Sequence, residues 1–197
     1  MLATPSEGTY TEKRSKFLAF AFPIESKEEA TEILHTLQKR FHDARHICYA
    51  YSIGIDSPEE RANDDGEPSG TGGRPILGQI HSFGINNVLL AVVRYYGGVP
   101  LGAANLGRAY QQAAFEALHM ATIETRELID SFSFFARYED VELVMRQAKK
   151  SNARVSYLAH HTDGADMQVS TRRSEINPLR EELMKIHTLK WSSDAIG

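Results

Sequence analysis

The chain has 197 residues, 42% of them hydrophobic and 24% charged, and 22 Lys and Arg against 26 Asp and Glu give a net charge of −4. These values suit one large or two small globular domains; they exclude a collagen-like repeat, a disordered tail and a strongly basic, non-specific nucleic-acid binder. Cys48 is the only cysteine, so no intrachain disulfide is expected, and with no bilayer-length apolar run and no signal-peptide core in the first 14 residues the expected location is cytoplasmic, without membrane attachment.

In chain order, alternating Leu18, Phe20, Phe22 and Ile24 predict a strand over 16–24. Ser26 followed by Glu29 reads as a capping box, and Ala30, Ile33, Leu34, Leu37 and Phe41 recur at helical spacing behind it. A second strand over 46–53 turns Ile47, Tyr49, Tyr51 and Ile53 to one face. Residues 56–74 read as a single polar loop, a length that usually carries function. Pro75 suits the first turn of a short helix reaching residue 83. Val88 to Val93 is uninterrupted apolar sequence, as in a strand covered on both faces. A helix over 104–121 gathers Leu106, Tyr110, Ala113, Ala117 and Ala121 on one side.

The pattern then restarts: a strand over 128–137, a helix over 140–151 buried through Val141, Val144, Met145 and Ala148, and strands over 155–160 and 167–171 around an Asp163-Gly164 turn. A helix opening at Asn177-Pro178 runs to 187, and a last strand is placed at 190–193. The class is therefore α+β in two domains, 1–125 and 126–197. The second has the ferredoxin-like order, with helices on one face of an antiparallel sheet.

Ten of the 14 glycines fall between Gly66 and Gly107, a density that points to a shaped site. Within it, Asp64, Asp65 and Glu67 could hold a hard cation such as Mg²⁺ through oxygen, although a solvated acidic loop is the commoner outcome of such spacing. Gly70, Thr71, Gly72 and Gly73 add backbone amides able to meet an anion. Arg94 ends the apolar strand and must reach a carboxylate, a ligand or solvent; Tyr95 and Tyr96 follow it and alternate to opposite faces. Gly102 to Ala109 nearly fits the Walker A phosphate loop, but Arg108 and Ala109 stand where Lys and Ser or Thr belong, which rules out nucleotide triphosphate hydrolysis by that route. The Gly97, Gly98, Pro100 and Gly102 connection can fold back. An anion-accepting pocket is thus expected, bordered by Arg94, Gly98 and Arg108, with the acidic loop as its opposite wall. Cys48 reads as buried and inert. Arg172 and Arg173, with Arg180, Lys185, Lys149, Lys150 and Arg154, form the one basic cluster and the weak candidate contact for RNA.

Arg14-Ser15-Lys16-Phe17, Asp43-Ala44-Arg45-His46, Asp64-Asp65-Gly66-Glu67-Pro68-Ser69-Gly70-Thr71, Val92-Val93-Arg94-Tyr95-Tyr96-Gly97-Gly98 and Arg108-Ala109-Tyr110 occur in that order, and together they resemble the IMPACT/YigZ family. The likeness covers the first domain and extends to the small C-terminal domain of bacterial members. Where the family carries Gly-Thr-Gly-Gly-Leu, this chain reads Gly102-Ala103-Ala104-Asn105-Leu106, two glycines fewer. The resemblance implies a first domain similar to the second domain of ribosomal protein S-five and to domain IV of elongation factor G, and a second similar to domain V of that factor. It also implies translation, since eukaryotic members regulate it; it implies no particular reaction.

Two functions follow as expectations. The preferred one is a translation-associated regulatory protein that binds RNA, the ribosome or a translation partner. Its recognition cleft would draw on Asp64, Asp65, Glu67, Gly70, Thr71, Arg94, Tyr95, Gly97, Gly98, Gly102 and Arg108. The alternative is a metal-dependent enzyme on a small phosphorylated substrate, with the carboxylates holding a divalent ion. No other cofactor is expected, and the oligomeric state is left open.

Overall fold

The computed structural model describes residues 1–192 and divides the chain into two units, Met1–Thr125 and Arg126–Gly197. Among the described residues no helix is long and apolar enough to cross a membrane.

In the first unit, strands β1 (Ser6–Glu12), β2 (Ser15–Pro23), β3 (His46–Ile53), β4 (Glu59–Asn63) and β5 (Val88–Tyr95) form one antiparallel sheet in the order β1-β2-β5-β3-β4. Helix α1 (Lys27–Arg40) packs on one face; α2 (Gly73–Ser82) and α3 (Ala103–His119) pack on the other. The central position of β5 explains its unbroken apolar run. Val88, Leu90 and Val92 join the α2–α3 core, whereas Leu89, Ala91 and Val93 face α1. Strand parity then puts Arg94 on the α2–α3 side and Tyr95 on the α1 side, as their neighbours confirm. Ser26 caps α1 by accepting from the Glu29 amide at 3.2 Å, and the Glu29 carboxylate accepts from Glu25, one residue before the cap.

Two strands differ from the sequence expectation. Residues 56–74 are not one loop, because they contain β4. Its residues Glu59-Glu60-Arg61-Ala62-Asn63 are almost wholly exposed along a sheet edge, so no buried face imposes an alternation. Strand β1 is equally polar and half-buried at every second residue. It is held by α3: Ser6 Oγ donates to the Ala117 carbonyl at 2.8 Å, and a Cβ on Gly8 would lie 2.3 Å from the Ala117 nitrogen.

In the second unit, β6 (Ile129–Arg137), β7 (Arg154–His160), β8 (Gly164–Arg172) and β9 (Lys190–Trp191) form an antiparallel sheet in the order β7-β8-β6-β9. Helices α4 (Tyr138–Lys150) and α5 (Arg173–Met184) supply Val144, Ala148, Ile176, Leu179 and Leu183 to a single core with Phe132, Phe134, Met167 and Val169. Trp191 closes it, its ring 5.5 Å from Phe132 and 5.4 Å from Phe134. Helix α5 begins four residues before the Asn177-Pro178 start read from the sequence. Pro178 is inside it and simply forgoes the bond to Ser174. Of the expected last strand, Ser193 lies outside the described residues.

Replacing Gly8 with Ala should force β1 away from α3 and cost about 2 kcal/mol, within the usual range for overpacking. Urea unfolding of the two proteins measures this; equal midpoints would refute the close approach of β1 to α3.

Candidate functional site

The acidic segment 64–67 does not converge on one point. Asp64 turns toward the start of α2, where Oδ2 accepts from the Gly70 amide at 2.7 Å and Oδ1 accepts from Gly72 and Gly73 at 2.8 Å each. Burial raises its carboxyl pKa, but the three N–H donors outweigh burial and hold it below the ordinary value of 3.8. Asp65 instead ties down the start of β3: Oδ2 accepts from the Ile47 amide at 2.7 Å, and its carbonyl lies 2.6 Å from His46 Nδ1. A carbonyl only accepts, so Nδ1 carries the proton and a neutral His46 has its acceptor at Nε2. Glu67 turns inward alone. Its Oε1 accepts from Arg94 Nη1 at 2.6 Å and from the Tyr110 hydroxyl at 2.8 Å, with both charged side chains buried.

Around this pair lies a cleft of about 340 Å³, lined by Glu67, Pro68, Arg94, Tyr96, Leu101 and Gly102, with Arg45 and His46 at the β3 side and Ala103 and Leu106 on α3. Arg94 is stacked between Phe17 and Tyr96, its Cζ 5.6 and 5.5 Å from their ring centres. Gly102, at φ 78° and ψ 153°, is the N-cap of α3, a conformation open essentially only to glycine. It offers no side-chain oxygen to the free amides of the first turn, and no acidic residue stands in that turn.

Several residues expected in the pocket lie elsewhere. Arg108 is exposed and absent from the cleft lining, because it stands roughly 200° round the helix from Leu106. Gly98, at φ 81°, is exposed and also outside the lining. Tyr95 packs on the α1 side and donates to Asp43 at 2.9 Å, so the cleft ring is Tyr96, just past the end of β5 and on the Arg94 side. Asp64 and Asp65 do not form the opposite wall; Glu67 is the acid that does. Gly70 and buried Thr71, whose hydroxyl donates to Pro68 at 2.6 Å, shape the turn rather than line the cleft. The Gly97 amide donates to Ser15 Oγ at 3.1 Å and fixes the strand end. Among the described residues, no group of three or more His, Cys, Asp or Glu stands together as a metal-binding set.

Tyr110 and Cys48 belong to the buried network beneath the cleft, although the helical stripe alone marked Tyr110 only as core. Cys48 Sγ donates to the Asp64 carbonyl at 3.0 Å, and a Cβ on Gly72 would meet that sulfur at 2.4 Å. Burial pushes the thiol up to about 12; the Tyr110 hydroxyl opposes this, and Glu67, Asp64 and Asp65 add to it.

In the second unit the basic residues are dispersed. Arg172 pairs with Glu127 at 2.8 Å and Arg173 with Asp130 at 2.9 Å, while Arg180 stacks on Phe132 and Lys185 pairs with Glu182. A cavity of about 570 Å³ there is larger than the first-unit cleft, and Lys150, Arg154 and Arg172 line it. Its cations are exposed, however, and none is held in place by burial as Arg94 is.

A protein-family model, the Impact N-terminal domain, matches residues 13–118. The chain is similar to the IMPACT family member YvyE of Bacillus subtilis (strain 168), 28% identical over 174 residues that span 88% of this chain and 80% of that protein. It is also similar to the IMPACT family member YigZ of Escherichia coli (strain K12), 32% identical over 131 residues, 66% of this chain and 64% of that one. A crystal structure described as that of a hypothetical protein shares the fold with a TM-score of 0.69 at 24% identity, over 98% of this chain and 96% of its own.

Two measurements test the network. Asp64→Ala should lower stability at neutral pH by about 2 kcal/mol, the upper end for a lost helix cap. The folded carboxyl titrates below 3.8, so its contribution is complete above that pH and is lost as pH falls through the folded value. Urea midpoints of the two proteins should therefore converge in acid; a constant gap would count against the cap. Separately, the Cys48 thiol should resist alkylation at mildly alkaline pH in the folded protein and react fully in denaturant. Rapid reaction in the folded state would contradict its burial.

Proposed function

The chain belongs to the IMPACT family, and on that premise we propose that it acts in translational control in the cytoplasm, with the Glu67–Arg94 cleft as the surface that meets the ribosome. The observation that carries this reading is a buried arginine opening, beside uncapped helix amides, into a cleft on a chain whose net charge is negative. Glu67 offsets the Arg94 charge, so the positive potential of the cleft comes from Arg45 and the α3 amides; it is local instead of being spread over a basic face, as suits recognition of one anionic group on the ribosome.

The strand orders support the finer reading of the fold. The sheet order β7-β8-β6-β9 with both helices on one face is what a ferredoxin-like domain similar to domain V of elongation factor G requires. The five-stranded first unit is read as similar to the second domain of ribosomal protein S-five and to domain IV of that factor. Fold likeness alone is thin warrant for function; the cleft supplies the rest. The carboxylates that a metal-dependent enzyme would need are divided among a helix cap, a strand end and the ion pair, which favours binding over catalysis.

Ribosome co-sedimentation tests the reading. The wild-type chain should pellet with ribosomes at low salt and be released progressively as salt rises, because phosphate contacts displace counterions. The double variant Glu67→Gln, Arg94→Met removes both buried charges together and should lose at least tenfold in association. No pelleting at low salt would overturn the proposal.

A further inference from the structure

We infer that the first-unit cleft accepts the phosphate monoester of a nucleotide, with the phosphate at Arg94 and the α3 amides and the base against Tyr96. This rests on the reading of that cleft as the binding surface, and it adds the class of group that enters.

Three independent observations converge on it. The first is an unmet donor. Arg94 is buried, its guanidinium bonds Glu67 through Nη1, and its Nε–H, also buried, has no acceptor among the described residues. Buried donors are normally paired, and an unpaired one on a residue lining a cleft marks a place for an acceptor from outside the chain. The second is charge. Glu67 neutralises Arg94, which leaves Arg45 and the partial positive charge of the α3 amides facing the cleft, with no acid in the first turn of α3. Arg45, exposed at the cleft rim beside the buried Arg94, and the helix end together carry roughly 1.5 positive charges, which matches a phosphate monoester at neutral pH better than a singly charged diester.

The third is shape. The cleft holds about 340 Å³, near the lower bound for small-ligand sites, and Arg94 lies within its lining with little exposure of its own. A terminal phosphate fits within such a space. Tyr96 is 46% exposed, and its ring centre is 5.5 Å from Arg94 Cζ, so a flat ring resting on it sits one group away from a phosphate at the guanidinium. Pro68, Leu101 and Leu106 supply apolar wall on the same cleft.

The test is calorimetric titration of the full chain with AMP, adenosine and inorganic phosphate. AMP should bind at least tenfold more tightly than either of its parts, and Tyr96→Ala should bring AMP close to inorganic phosphate. Ala103→Asp puts a carboxylate in the first turn of α3, where the helix end favours it. That variant should keep or raise the melting temperature yet bind AMP at least tenfold more weakly, so a loss cannot be blamed on misfolding. AMP binding no tighter than adenosine, or unchanged by Ala103→Asp, would overturn the inference. A short RNA with a 5′-phosphate that binds more tightly than AMP, and more tightly than its 5′-hydroxyl form, identifies an RNA end as the source of the nucleotide; the reverse order identifies a free nucleotide. AMP binding by a chain that fails to pellet with ribosomes would retain this inference and remove the translational reading. Pelleting by a chain that binds no AMP would do the opposite.

Discussion

Glu67 and Arg94 are 2.6 Å apart with side chains 5% and 8% exposed, so neither charge can fall back on water if the other moves. Removing one partner of such a pair leaves a buried, uncompensated ion and typically costs about 3–5 kcal/mol. That constraint organises four segments at once. Arg94 comes from the end of β5, Glu67 from the turn before α2, Tyr110 from the middle of α3, and Phe17 from β2, whose ring meets Tyr110 edge-on at 5.1 Å. None of these can shift without exposing the pair or separating it.

The turn that delivers Glu67 is held from both sides. Asp64 fixes its far end to the amides opening α2, and Asp65 fixes its near end to β3. The carboxylates of one short run therefore have separate tasks, and only the last serves the cleft. Preorganisation of this kind matters for binding: a charged group already locked in place spends little of its interaction energy on being ordered when a ligand arrives.

Much of the framework was legible because it follows from periodicity. Strand β3 over 46–53 and the apolar run of β5 are set by burial of alternate or all residues, and the helices by their stripes. The two missed strands, β1 and β4, are polar and stand at the sheet edges, where pairing rather than burial fixes them. At the site, Arg94, Glu67 and Gly102 were readable from chemistry. Choosing Tyr96 over Tyr95 required only strand parity, which already separated the two. Excluding Arg108 required the helix phase, which depends on where α3 begins. The dispersal of Asp64, Asp65 and Glu67 was not readable, since it is decided by which backbone amides happen to be free after β3 and α2 have packed. Cys48 and Tyr110 were hidden for a similar reason: each lies on an apolar stripe, and its polar atom finds a partner only across the core.

The chain contains a single tryptophan, and it belongs to the second unit, where Trp191 rests on Phe132 and Phe134. The first unit has tyrosines but no tryptophan. Light absorbed by indole alone therefore originates in one unit, whereas far-ultraviolet dichroism sums both. If the units melt separately, the two signals will trace different curves from one sample, and a single apparent melting temperature would then describe neither unit. The short strand β9 thus gives the protein a built-in optical label for the part of the chain that lacks the cleft.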